Sequence, residues 1–395
     1  MSVGKVVSGK EQKGILRYGM VGGGPGSFIG GVHRAAVRLD NKAELIAGSF
    51  SPIYEESLET GTELGLDEER IYETYQQMAL EEGKKEDGID FVSITTPNHL
   101  HYDVAKTFLE QGINVVCEKP LVFTVEEAKE LGDLADKNDL YLCVTYTYTG
   151  FPMVKHAREL IRKGEIGDIK MVMGEYPQEW LATATEEEGN MQAEWRTDPE
   201  LAGRSNAVGD IGSHIENLVS YMTGLKIDTI LAGLDTFGGN NRTLDTNASI
   251  LLRYNNGARG IYWCSQVAVG YDNALKVRVF GAKGTIEWEQ ENPDRLKVSY
   301  LDKPVQYLSR GRDELYPLGE SKVRLPAGHP EGYFVAFANI YKNYCQALLA
   351  KKAGNPLSEE EIDFPTVYDG IEGVKFINRA VDSSEAGAKW LQLDG

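Results

Sequence analysis

"YGMVGGGPGSFIGGVHRAAVRL", residues 18–39, runs an apolar strand into a glycine-rich loop and then into a segment of helical period. Glycines in such a loop let the backbone turn tightly and approach a pyrophosphate, whose charge is met at a helix N-terminus. Gly22 and Gly24 supply the Gly-x-Gly, but the glycine ahead of the helix is read as Gly30. That makes the loop about three residues longer than the standard one. On this stretch alone a glycine-rich hairpin turn is the competing reading. The strand before, the helix after and the units that follow favour nucleotide binding, with Gly22, Gly24, Gly26, Ser27, Phe28 and Ile29 as cofactor contacts.

On either side of the loop and beyond it, "ILRYGMVG" (15–22), "AELIAGSF" (43–50), "IDFVSITTP" (89–97), "INVVCEKP" (113–120) and "LYLCVTYTY" (140–148) read as buried strands. Between them lie helical segments, among them "TVEEAKELGDLADKN", where Thr124 and Glu127 form a capping box. This alternation predicts an α/β fold: an N-terminal Rossmann domain, a doubly wound parallel sheet with helices on both faces. Past residue 148 the strand candidates become long and amphipathic: 169–181, 246–256, 257–268, 274–290 and 296–301. Asn256-Gly257 and "GAKG" are hairpin signals between them. The expectation is a Rossmann domain over 1–148 and, over 149–395, a C-terminal α+β domain with a large, open, mostly antiparallel sheet.

The chain has 395 residues, 42% hydrophobic and 26% charged, which suits a two-domain globular protein. Asp and Glu number 60 against 41 Lys and Arg, a net charge of −19. A surface this acidic repels phosphate backbones and anionic lipid, so neither nucleic acid nor membrane is an expected partner. Cys117, Cys143, Cys264 and Cys345 are far apart and form no CxxC pair, which argues against structural zinc or a disulfide framework. With no twin arginine and no apolar h-region ahead of the first strand, a cytoplasmic location is expected.

The acid that ends the second strand in many dinucleotide-binding domains, where it holds the ribose 2′-hydroxyl, is missing. "AGSFSPIYEES" offers Ser49 and Ser51 instead, with Ser51-Pro52 reading as N-cap and N1. No Lys or Arg stands between 43 and 69 to meet a 2′-phosphate. NAD is favoured, with NADP the open alternative. At the next strand ends, "TTPNHLHYDVA" offers Thr95, Pro97, Asn98 and His101 to the nicotinamide side of the cofactor, and "EKP" offers Glu118 and Lys119. Pro120 stops the ladder, so Lys119 emerges at the carboxyl edge, where open α/β sheets bind ligands. An ammonium there can stabilise charge growing on a substrate oxygen; a surface ion pair is the plainer reading. His99 and His101, without carboxylates nearby, do not make a metal site.

"GDIGSHIENLVSYMTGL" (209–225) is the second decisive stretch. Taken as one helix with Asp210 at 0°, His214 falls at about 40°, Asn217 at about 340° and Tyr221 at about 20°. Ile211, Ile215, Leu218, Val219 and Met222 fall on the other side. The polar stripe lacks the Lys/Glu mixture of a solvated face. A carboxylate in the first turn suits the helix dipole, and a neutral His beside it is a competent general base. A satisfied polar helix face remains the bland alternative.

With the glycine loop, "EKP" at 118–120 and "GDIGSH" at 209–214, the chain resembles the Gfo/Idh/MocA oxidoreductases, and "AEWRTDPELAG" (193–203) and "GTIEW" (284–288) extend the match over nearly its whole length. The resemblance implies hydride transfer between NAD(P) and a secondary hydroxyl of a sugar, glycoside or inositol. It makes Lys119, Asp210 and His214 catalytic, with His214 taking the hydroxyl proton, Lys119 holding that oxygen and Asp210 orienting His214. It also implies self-association, as homodimer or homotetramer, through the open sheet. Lys119, Asp210 and His214 are expected to contact the carbohydrate or cyclitol substrate, with Tyr148, Tyr176, Gln178, Trp180, Trp195, Arg196 and His329 as further lining candidates. A redox-assisted lyase or glycosidase with tightly bound NAD, and a non-catalytic dinucleotide-binding regulator, are the competing functions. Intact Lys119, Asp210 and His214 weigh against the regulator.

Overall fold

The computed structural model describes residues 14–239 and 241–394, which divide into two compact units. The first contains residues 14–147 and takes back Tyr333–Ile371; the second contains 148–332 and 372–394. In the first, β1 (Leu16–Gly22), β2 (Ala43–Ser49), β3 (Phe91–Thr95), β4 (Asn114–Cys117) and β5 (Leu142–Val144) pair in parallel in the order β2-β1-β3-β4-β5. Strands covered on both faces read as continuous apolar runs, and β3 is buried along its whole length. The helices between them are α1 (Phe28–Leu39), α2 (Tyr54–Glu63), α3 (Tyr75–Glu82), α4 (His101–Glu110) and α5 (Val125–Lys137). Thr124 and Glu127 close the capping box that starts α5. Strand order reverses at β1, whose neighbours are β2 and β3, and such a switch point opens a ligand crevice at the carboxyl edge. Gly22 and Thr95 are register partners at that edge.

The second unit contains α6 (Pro152–Arg162), β6 (Ile169–Pro177), α7 (Met191–Thr197), α8 (Pro199–Ala202), α9 (Ser213–Thr223), β7 (Ile227–Asp235), β8 (Asn247–Tyr254) and β9 (Arg259–Ser265). It continues through β10 (Lys276–Gly281), β11 (Gly284–Glu289), β12 (Arg295–Tyr300), β13 (Lys303–Ser309), α10 (Pro317–Glu320) and, near the end of the chain, β14 (Leu391–Gln392). Its strands form one sheet among the described residues, ordered β13-β12-β11-β10-β6-β9-β8-β7-β14. Every pairing is antiparallel except β6–β9. The single run expected over 274–290 is a hairpin, β10–β11, turning between Gly281 and Gly284. Gly257, at φ +86°, turns β8 into β9. α9 lies on the buried face of β6 at Gly174, where an added Cβ would stand 2.2 Å from Ile215 Cγ2. That glycine sets how closely the helix approaches the sheet.

The expectation that 149–395 forms one domain needs correction. α11 (Tyr333–Lys352) packs into the first unit, where Tyr341, Tyr344 and Phe337 join the core of Tyr18, Phe91 and Val32. Phe91 stacks with Tyr18 at 5.3 Å and meets Tyr344 edge-on at 5.3 Å. Burying these rings completes the sheet's outer layer, which explains the chain's return. α12 (Val367–Glu385) then carries the chain across the division after Ile371. No helix among the described residues is long and apolar enough to cross a membrane.

Candidate active site

The glycine loop is drawn tight by close backbone approach. Gly24 N–H donates to the Phe50 carbonyl at 3.1 Å, and a Cβ on Gly24 would come within 2.8 Å of that oxygen. α1 starts at Phe28, with the Ser27 hydroxyl accepting Gly30 N–H at 3.2 Å. Gly30 therefore lies inside the first helical turn and not ahead of it. Its Cβ would fall 2.4 Å from Gly23 Cα, so its role is close packing of helix on loop. Arg34, from the second turn, donates to the Gly23 carbonyl at 2.8 Å and holds the lengthened loop. Exposed Gly26 and Phe28 and half-buried Ile29 complete a cradle with the free N–H groups of a helix start, which fits a dinucleotide pyrophosphate.

At the end of β2, Ser49 is buried and Ser51 is not the helix N-cap expected of it. α2 starts at Tyr54 because the Ser57 hydroxyl captures the N–H groups of Phe50 and Ser51, at 2.8 and 2.9 Å, and holds the chain in a turn first. Ser51 Oγ accepts from Ile53 N–H and donates to Glu56. At the end of β3, Thr95 donates to the Val21 carbonyl at 3.3 Å, and Pro97 leads into a short 3-10 turn, Asn98–Leu100.

His101 and Glu118, expected against the cofactor, are turned inward. His101 is fully buried, its Nδ1 2.8 Å from the Pro120 carbonyl and its Nε2 3.1 Å from that of Thr96. Burial lowers its pKa from the ordinary value, and a neutral ring can donate to only one of those carbonyls. The Glu118 carboxylate accepts from His33 Nε2 at 2.9 Å, from the Thr145 hydroxyl, and from the backbone N–H of Lys119 at 3.2 Å. His33 Nδ1 in turn meets the Tyr341 hydroxyl at 2.6 Å. Burial alone would raise the Glu118 pKa, but His33, Lys119 and Thr145 bring it down to about 2. The Lys119 backbone is thus seated on a buried carboxylate at the end of β4.

In the second unit the helix read over 209–225 is not uniform. Residues Val208–Gly212 form a π turn, in which Ser213 N–H bonds the Val208 carbonyl, and α9 proper runs from Ser213 to Thr223 with Gly224 left-handed at its end. A π turn takes an extra residue, so the 100° step fails across Asp210. Asp210 Oδ2 accepts from Gln266 Nε2 at 2.9 Å and lies 3.4 Å from Arg196 Nε. The buried His214 ring sits edge-on to Tyr148, centroids 4.8 Å apart, and 6.3 Å from Tyr176.

The tyrosine hydroxyls bond each other, and Tyr176 donates to Asn273 Oδ1 at 2.7 Å. Gln178 donates to that same oxygen at 2.7 Å and accepts from Trp180 Nε1 at 3.0 Å. The Arg196 guanidinium lies over Trp195 at 4.1 Å and near Trp180 at 5.9 Å. Tyr148, Tyr176, Gln178, Trp180, Trp195 and Arg196 therefore form one polar and aromatic cluster with Asp210 and His214. Two expectations fail here. His329 is exposed in a local turn, its ring on the Pro326 carbonyl and its own carbonyl taken by Arg310. Tyr221 accepts from buried Lys155 at 3.0 Å, which gives that end of the stripe a packing role. Asn273, Gln266, Asn206 and Asp245 escaped the sequence reading, since isolated amides and a distant acid leave no local pattern. No group of three or more His, Cys, Asp or Glu among the described residues is arranged to hold a metal.

Two protein-family models match the chain. The Gfo/Idh/MocA model described as "Oxidoreductase family, NAD-binding Rossmann fold" covers residues 16–146, and the Gfo/Idh/MocA C-terminal domain model covers 154–287. An uncharacterized oxidoreductase of Bacillus subtilis, YfiI, is 38% identical over 96% of this chain and 97% of its own. The crystal structure of an inositol dehydrogenase homolog from Azotobacter vinelandii, complexed with NAD+, superposes with a TM-score of 0.92 at 36% identity, covering 95% of this chain and 97% of that one. The levoglucosan dehydrogenase of Pseudarthrobacter phenanthrenivorans is 29% identical over 77% of this chain and 80% of its own.

Proposed function

The chain belongs to the Gfo/Idh/MocA family of NAD-binding oxidoreductases, and from that membership we propose that it oxidises a secondary ring hydroxyl of a sugar, glycoside or cyclitol. One observation supports this above the others: the buried imidazole of His214 follows, by one turn, a carboxylate already engaged by Gln266 and Arg196. The chemistry that NAD supplies when bound is acceptance of a hydride. His214 takes the hydroxyl proton as the carbon is oxidised, and ionised Asp210 stabilises the imidazolium that results. Lys119 holds the reacting oxygen and stabilises the negative charge that grows on it. Tyr148, Tyr176, Gln178 and Arg196 present hydroxyl, amide and guanidinium groups to a polyol, and the rings of Trp180 and Trp195 offer flat faces to its C–H surface.

A screen of inositol isomers, anhydrosugars and glucosides with NAD and with NADP, read by the absorbance of the reduced nicotinamide, tests the proposal. Reduction with at least one polyol is expected. Cofactor that co-purifies and is never released reduced, with cleaved sugar as product, would replace the dehydrogenase with a redox-assisted lyase.

The proposal extends to assembly. Across the sheet, Leu251, Ile261, Met173, Arg278, Glu287 and Lys297 are successive register partners on one face. Leu251 and Ile261 remain exposed, and the charges beyond them alternate in sign. Such a face is self-complementary under a twofold axis, and a second copy of this chain covers it.

A further inference from the structure

Asp210 stands at the end of a chain of buried donors that all point the same way. Gln266 is fully buried; its Nε2 donates to Asp210 Oδ2, and its Oε1 accepts from Asn206 Nδ2 at 2.7 Å. The Gln266 backbone is tied on both sides, donating to Thr246 at 2.8 Å and accepting from Leu181 at 2.9 Å. Asn206 is fixed by its own N–H, which donates to Asp245 Oδ1 at 2.9 Å, while Val208 N–H reaches the other oxygen at 3.0 Å. Asp245 thus caps the start of the π turn that carries Asp210. Asn206 Oδ1 has no hydrogen-bond partner among the described residues.

This arrangement has only one consistent amide orientation while Asp210 is ionised. Turned over, Gln266 would set its carbonyl oxygen against the carboxylate and its NH2 against that of Asn206, and buried repulsions of that kind are costly. Asn206 can turn over with it, since its Oδ1 has no other partner among the described residues, so the repulsion that remains is the one against Asp210, and it is relieved only when Asp210 carries a proton. We infer that Gln266, its backbone tied on both sides and its Oε1 satisfied by Asn206, is a positioning residue that holds Asp210 ionised and aimed. Its bearing on catalysis rests on the proposed role of Asp210 beside His214; its effect on the carboxylate does not.

Charged and titratable groups near Asp210 among the described residues include Arg196 on α7, at 3.4 Å, His214 one turn on in α9 and Asp245 behind Asn206. Arg196 favours the ionised state, as does Gln266. Asp245 opposes it; burial raises the pKa of Asp245 itself from the ordinary value, while the N–H groups of Val208 and Asn206 lower it.

The test is a pH titration of the full-length protein with its aspartate carboxyl carbons labelled for NMR, the Asp210 signal being identified by its loss in Asp210→Asn. Wild type, Gln266→Met and Gln266→Glu are compared. Removing the donor should raise the Asp210 midpoint by roughly one pH unit, about tenfold in proton affinity, and the like charge of Gln266→Glu should raise it further. A loss of packing alone would not order the variants this way. Should Gln266→Met fail to fold, the isosteric Gln266→Glu decides by itself. An Asp210 midpoint no higher in the variants than in wild type overturns the inference. Failure of the dehydrogenase proposal would appear separately, as an absence of polyol-dependent turnover in wild type.

Discussion

The Ser51 hydroxyl donates to the Glu56 carboxylate at 2.5 Å, which sets a negative charge from the first turn of α2 at the end of β2. The preceding residue, Phe50, is bonded to the glycine loop through Gly24. Ser51 and Glu56 therefore stand beside the crevice, at the strand end where a dinucleotide's ribose is recognised. A carboxylate there accepts from a 2′-hydroxyl and repels a 2′-phosphate. Glu56→Gln should tighten NADP relative to NAD by about tenfold, measured by calorimetry without substrate. Glu55→Gln, on the exposed side of the same turn, is the control. An unchanged NAD/NADP ratio in Glu56→Gln would remove this carboxylate from cofactor choice.

General-base chemistry predicts a kinetic signature for His214. His214→Ala should lower kcat by about a hundredfold or more, with the calorimetric Kd for NAD retained. Lys119→Ala should lose kcat as well, because charge on the oxygen grows only as the reaction proceeds. Wild-type turnover in His214→Ala would hand the proton to another group.

The buried Glu118–His33 pair predicts an acid-sensitive contribution to stability. The Glu118 pKa is depressed from 4.5 to about 2, so its stabilising effect is complete above pH 4.5 and disappears as pH falls toward 2. Denaturant unfolding should show Glu118→Gln less stable than wild type by a constant margin between neutrality and pH 4.5, and by a shrinking margin below it. A margin that stays level through the acid range would mean that packing, not ionisation, sets the cost.

Self-association through the open sheet face predicts that light scattering coupled to sizing finds a dimer or tetramer. Leu251→Asp and Ile261→Asp, directly paired across β8 and β9, should each shift it toward monomer, since each would bury an unpaired carboxylate. A monomeric wild type would exclude the interface outright.

The parts of this molecule that rest on local chemistry could be read along the chain. Five parallel strands stand out as continuous apolar runs, and Thr124 with Glu127 announces α5. β13 did not stand out, because an edge strand exposed over most of its length has no alternation to read. α11 is buried almost all round, and no stripe says which unit it joins; the rings of Phe337 and Tyr341 decide that only in three dimensions. The π turn at Asp210 was hidden for a similar reason: its capping acid, Asp245, stands 39 residues beyond Asn206. Gln266 becomes visible only once β9 delivers it to Asp210.

Gly174 offers a way to move His214 without touching it. A methyl group there would stand 2.2 Å from Ile215 Cγ2, so α9 must lift or β6 must bend to admit it. Overpacking of this kind costs about 1–3 kcal/mol, so Gly174→Ala should lower Tm measurably. His214 immediately precedes Ile215, and its ring is held edge-on by Tyr148, so a lift of the helix changes the base's aim. A displacement of even about 1 Å at a catalytic group can cost about a hundredfold in turnover. In an Ile215→Ala background the clash with the helix is gone and only a 3.2 Å approach to Tyr262 Cδ1 remains, so adding Gly174→Ala should then carry less further cost in stability and little in rate. If the two substitutions prove additive, the close seat of α9 on β6 is not what fixes His214.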